Sequence, residues 1–109
     1  STADPKLVEW FIEQAGSNDP EFIGRFVTHM TTHDFMDQLP KITCPTLIVA
    51  AGKEQIGHAS AYGEMQQRIK GSELKLFDTA GHNICDGYAP QCVDTLLAFL
   101  GRNGYPRPA

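Results

Sequence analysis

Only two stretches of this chain read as β-strands, and a helix separates them, which commits the chain to a parallel strand pair and denies it a complete sheet. The first stretch, Thr46-Leu-Ile-Val-Ala-Ala51, is short, rich in β-branched residues and mostly apolar, and Gly52 closes it. A run of that kind suits a strand covered by helices on both faces. The second is Leu74-Lys-Leu-Phe77. Between them, from about Ala59 to Lys70, Tyr62, Met65 and Ile69 recur at helical spacing, and Gly71 supplies a terminator. A strand-helix-strand order implies parallel strands joined by a right-handed crossover. Two strands leave at least one apolar, unpaired edge, so a further strand is expected from residues outside the chain or from a second copy of it. The fold class expected is therefore α/β, incomplete on its own.

The remaining segments read as helices. Asp4-Pro5 and Asp19-Pro20 both place a capping carboxylate before a proline, the arrangement that suits a first helical turn. Apolar stripes follow each: Leu7, Val8, Phe11, Ile12 and Ala15 before Gly16, then Phe22, Ile23, Phe26, Val27 and Met30. Residues 33–39 suggest a short helical turn ended by Pro40. The loop 78–88 precedes a last helix from Pro90 to Leu100, ended by Gly101, and a tail without periodicity from 102 to 109 is expected to be flexible.

Composition narrows the function classes. A formal net charge of −4, with Lys and Arg scattered, gives no basic stripe for nucleic acid. No apolar run reaches the length of a membrane span, and the first residues lack the layout of a signal peptide. Cys44, Cys85 and Cys92 form no CxxC pair, and an odd number cannot pair fully within one chain, so they read as reduced thiols. Cys44 and Cys92 suit buried, small-hydrophobe roles, and a cytoplasmic location is expected. His29, His33 and His58 are too dispersed to mark a metal site, and no metal or other cofactor is expected.

The order Ile42-Thr-Cys-Pro-Thr-Leu-Ile-Val-Ala-Ala-Gly52, a helix, Leu74-Lys-Leu-Phe-Asp-Thr-Ala-Gly-His82, then Pro90 and an apolar helix ending in Phe99-Leu100, resembles the end of the α/β-hydrolase family. The resemblance implies a penultimate strand, a last strand with its histidine loop, and a final helix packed on the sheet. It divides the chain into the end of a helical cap at 1–33, the C-terminal part of the hydrolase core at 34–101, and the tail at 102–109. Among capped members, the pattern is closest to carbon-carbon hydrolases, enol-lactonases and simple esterases.

The chemistry this resemblance implies is attack on an acyl carbon by a nucleophile, usually Ser on a G-x-S-x-G elbow, with a histidine taking and returning the proton. No such elbow occurs here. Gly57-His58-Ala59-Ser60-Ala61 is the nearest string, but it follows the strand after which the family places its acid. Gly81-His82 matches the histidine loop, and imidazole titrates near neutrality, so His82 is the candidate general base. The family's usual Asp is missing. Glu54, two residues after Gly52, is the best substitute as the carboxylate that orients His82, whereas Gln55 in the neighbouring register cannot carry the charge. Asp78 and Asp86 are lesser candidates. Trp10 is a candidate for lining the substrate pocket, and Cys85, three residues after His82, is read as a loop-packing residue rather than a nucleophile. The expected partners are the N-terminal part of the same hydrolase, in the same or a separate chain, and a small-molecule substrate, with neither nucleic acid nor membrane; a homo-oligomer is open. The alternative of a different class is a ligand-binding or interaction protein that keeps the fold without catalysis.

Overall fold

The structure, a computed structural model, describes residues 4–105 apart from the side chains of Cys85 and Asp86. The expected tail therefore lies in part, at 106–109, outside the described residues. The chain divides between Phe35 and Met36 into two compact units.

The first unit holds helices α1 (Pro5–Gly16) and α2 (Pro20–Thr32). Each begins as its Asp-Pro pair dictates: the Asp4 carboxylate accepts a hydrogen bond from the Lys6 N–H at 2.9 Å, and Asp19 accepts from the N–H groups of Glu21 and Phe22. These bonds satisfy donors that a helix start leaves without an intrahelical partner. Neither helix buries a residue, and the apolar stripes are exposed.

The second unit carries the sheet. Strand β1 (Leu47–Ala51) pairs in parallel with β2 (Glu73–Phe77), with Leu47 opposite Glu73 and Ala51 opposite Phe77. Helix α3 (Ser60–Arg68) makes the crossover, and the chain turns out of it at Gly71, whose φ of 79° lies in the left-handed region open to glycine. Ile48, Ala50, Ala51, Ile69, Phe77, Ala80 and Phe99 are buried. Ala51, Phe77 and Ala80 form one cluster, against which Ile84, Tyr88 and Cys92 pack. Strand β1 is not sealed on both faces, as its composition suggests: Val49 in β1 and Leu76 in β2 are both exposed. An alternating strand loses its outer row to solvent when too little chain covers that face.

Several local expectations need correction. The short helix before β1 is a 3-10 segment, Met36–Lys41, that runs through Pro40 instead of stopping there. Cys44 is exposed, because it stands in the connection ahead of β1 and not on the strand, while Cys92 is half-buried against the core. Helix α4 spans Cys85–Arg102, beginning earlier than Pro90, with a break at Tyr88 (φ −130°, ψ 22°). Pro90 lies just past that break, in the first turn of the longer piece, where its missing N–H costs nothing. Gly101 does not end the helix. It ends after Arg102, where Gly104, at φ 83°, lets the Tyr105 N–H reach the Leu100 carbonyl at 3.0 Å.

Gly52 has the tightest packing demand. A Cβ there would stand 2.4 Å from the Asp78 carbonyl oxygen and 2.6 Å from that residue's carbonyl and α carbons. The neighbour is backbone, set between the hydrogen-bonded Phe77 and Ala80, and has no flexible end to swing aside. Gly52→Ala is therefore expected to cost about 2–3 kcal/mol, as over-packed sites do, read as a lower urea midpoint. Gly57→Ala, whose Cβ would meet only the Glu54 side chain at 3.9 Å, is the control and should leave the midpoint almost unchanged.

Candidate functional site

Parallel strands deliver their carboxyl ends to one edge of a sheet, and in open α/β sheets ligand sites form in the crevice beyond those ends. Here the two exits are laced together. The Gly52 N–H donates to the Phe77 carbonyl at 2.9 Å, and the Lys53 N–H donates to the Ala80 carbonyl at 2.9 Å. The Ala80 N–H folds back to the Phe77 carbonyl at 3.0 Å, making a turn over Asp78 and Thr79. The loop after β1 and the loop after β2 thus leave side by side, with Glu54 on one and His82 on the other.

The side chains meet. His82 Nδ1 stands 2.8 Å from Glu54 Oε1 and 3.0 Å from Oε2. The Glu54 side chain is 2% exposed and that of His82 is 49% exposed, so the carboxylate is covered while the imidazole reaches solvent. The carboxylate is held on every side: Oε1 accepts from the N–H groups of Gln55 and Ile56 at 2.9 Å each, and Oε2 accepts from the Tyr62 hydroxyl at 2.6 Å. These donors lower its pKa from 4.5 to about 2, with the Tyr62 hydroxyl first, then the Ile56 N–H, and the bonds from His82 and Gln55 behind them, against the opposing pull of desolvation. The same bond raises the pKa of Tyr62. An ionised carboxylate only accepts, so Nδ1 must carry the proton and donate it. Nε2 is then the lone-pair nitrogen, and among the described residues it makes no hydrogen bond. An imidazole fixed in this way can take a proton at Nε2 and return it, with the carboxylate stabilising the cation in between.

The histidine loop is braced from behind. Phe77 and Tyr88 pack with ring centroids 5.4 Å apart, and the Tyr88 hydroxyl shares a hydrogen bond with Thr79 Oγ1. Ala80 is buried under the same group. The Ile84 N–H donates to the His82 carbonyl at 3.1 Å, so the residues on either side of His82 are anchored and the ring projects between them.

Of the residues singled out in the sequence, the structure brings Glu54 and His82 together. Gln55 contributes its backbone N–H and not its side chain. The Asp78 backbone lies close against Gly52, and no hydrogen bond joins Asp78 to His82. The side chains of Asp86 and Cys85 lie outside the described residues. Trp10 is exposed on α1, in the first unit, while Glu54 and His82 belong to the second. Among the described residues no group of three or more His, Cys, Asp or Glu side chains could hold a metal ion. Tyr62 is the participant that sequence reasoning missed. Its helical spacing with Met65 and Ile69 marks it as inward, and only the hydroxyl, which a buried tyrosine must satisfy, hints at a polar partner.

The lowered pKa of Glu54 has a consequence for folding. A carboxyl whose folded value lies near 2, below the ordinary unfolded value of about 4.3, stabilises the fold above the unfolded value and loses that contribution as pH falls toward 2. The stability advantage of the wild type over Glu54→Gln, followed by denaturant midpoints, should be constant near neutrality. It should shrink between about pH 5 and pH 2.

No family model matches this chain. Over 68 residues it is 37% identical to a protein of Synechocystis sp. provisionally named non-heme chloroperoxidase, an enzyme of the α/β-hydrolase superfamily. The match covers 62% of this chain and 25% of that relative, so the chain spans about a quarter of the relative's length. A small parallel strand pair with its crossover helix is consistent with part of an α/β fold, and the similarity to this relative is distant. No helix among the described residues is long and apolar enough to cross a membrane.

Proposed function

We propose that Glu54 and His82 are the acid and base of an α/β-hydrolase triad, and that the nucleophile stands on a segment outside these 109 residues. The observation that carries this reading is the pair itself: a covered, multiply held carboxylate gripping Nδ1 of an imidazole whose other face meets solvent. In the reaction, His82 Nε2 takes the proton of the attacking hydroxyl and then gives it to the leaving group. Glu54 stays ionised throughout and stabilises the imidazolium. The substrate class is a small, partly apolar ester, lactone or activated carbon-carbon bond. Residues 1–33, which include Trp10, are the end of a helical cap, and residues 34–101 are the C-terminal part of the core. Its partners are the nucleophile-bearing part of the hydrolase and a small-molecule substrate, and the site of action is the cytoplasm.

The test is turnover of short-chain esters and lactones by the polypeptide that carries the nucleophile, with and without His82→Ala. Undiminished hydrolysis in the variant would sink the reading. Peroxide-dependent chloride oxidation, the activity in the relative's name, belongs in the same assay series.

A further inference from the structure

The Glu54 carboxylate is held from two different elements, and only one of them is its own loop. Oε1 accepts from Gln55 and Ile56, the residues that follow it in the chain. Those bonds fix one oxygen but leave the carboxylate able to turn about it. Oε2 is fixed from elsewhere, by the hydroxyl of Tyr62, eight residues on, in the first turn of α3. Among the described residues, Oε2 has no partner besides Tyr62 and His82. Tyr62 is half-buried, and a tyrosine reaches far with only two side-chain torsions, so its hydroxyl is a rigid anchor. A phenol also suits the task chemically, since it donates to an ionised carboxylate and carries no charge that would compete with the imidazolium.

We propose that Tyr62 is a positioning residue for the Glu54–His82 pair: its hydroxyl, presented from α3, locks the second carboxylate oxygen and so keeps the imidazole in the tautomer with its proton on Nδ1. The effect on turnover rests on the hydrolase reading, whereas the effect on the pair can be read without any substrate.

The experiment is carbon-13 and nitrogen-15 NMR of the Glu54 carboxyl and the His82 ring in the wild type and in Tyr62→Phe, which keeps the ring and removes only the hydroxyl. The midpoint of the Glu54 titration should climb from about 2 by about one pH unit or more, because the strongest of its donors is gone. The share of neutral His82 with its proton on Nδ1 should fall. In the polypeptide that carries the nucleophile, kcat should drop roughly tenfold with KM unchanged. Incorporation of 3-fluorotyrosine at position 62, read below the phenol's own titration, restores a donor and should return tautomer and kcat to the wild-type values. A tyrosine that served only as packing would shift the denaturation midpoint and move neither readout. An unchanged Glu54 midpoint and tautomer in Tyr62→Phe would overturn the proposal, as would a fluorotyrosine protein that behaves like the Phe variant. A lost tautomer in Tyr62→Phe alongside undiminished turnover in His82→Ala would support the positioning role and overturn the hydrolase reading instead.

Discussion

On the proposed hydrolase reading, hydrolysis by the nucleophile-bearing polypeptide is expected to fall in His82→Ala by roughly four to six orders of magnitude in kcat, with KM little changed. The size follows from what the ring does at each step. An un-ionised hydroxyl is a poor nucleophile, and the leaving group departs as an unstable anion unless it receives a proton, so removing one imidazole disables both halves of the reaction. KM is spared because the ring contributes little to holding the substrate in its ground state. The half-exposed position of His82 adds a second readout. Truncation opens a solvent-accessible gap beside Glu54, and free imidazole added to the assay should enter it and restore part of the rate. A non-catalytic, ligand-binding protein on the same fold would show neither effect: the variant would bind as the wild type does, and imidazole would do nothing.

The parts of this chain that depend on local chemistry were legible in the sequence. Asp4 and Asp19 cap their helices because a short carboxylate followed by proline has few other uses at a helix start, and Leu47–Ala51 is a strand because it is wholly apolar with the β-branched Ile48 and Val49 at its centre. The closeness of Glu54 and His82 was readable for a topological reason: each follows the carboxyl end of one of two parallel neighbours. Features that depend on where other elements lie were not readable. Cys44 reads as a buried small hydrophobe by type, yet its exposure is decided by a connection that runs outside the sheet. The early start of α4 depends on a break at Tyr88, which Phe77 and Thr79 hold through packing and a hydrogen bond from the other side of the loop. Tyr62 has the spacing of a core residue, and nothing in its own helix reveals that a carboxylate from the preceding loop curls back to meet it.

Glu54→Gln is the more discriminating substitution, because it keeps the shape of the side chain and reverses the hydrogen-bond logic. A carboxylate can only accept, so it selects the imidazole with its proton on Nδ1. The amide of a glutamine can donate as well, and an NH2 group facing Nδ1 selects the other tautomer, with the proton on Nε2, where no further proton can be taken. The variant also leaves the forming imidazolium without its counter-charge. Together these should lower kcat by roughly three to four orders of magnitude, as the loss of an orienting carboxylate does elsewhere. The backbone donors at Gln55 and Ile56 add a constraint: both need an acceptor, so the amide keeps its oxygen toward them and turns its NH2 toward His82 and the Tyr62 hydroxyl, which can accept as well as donate. Glu54→Asp separates charge from reach. It keeps the negative charge but cannot span the loop donors, Tyr62 and His82 at once, so its loss should be much smaller than that of the amide and should vary with which contact is surrendered. Steady-state kinetics near neutral pH, with nitrogen-15 shifts of the His82 ring to report the tautomer, measure both outcomes. A Glu54→Gln protein within tenfold of the wild type would move the orienting role to another carboxylate and leave Glu54 as a structural tie between the loop after β1 and the start of α3.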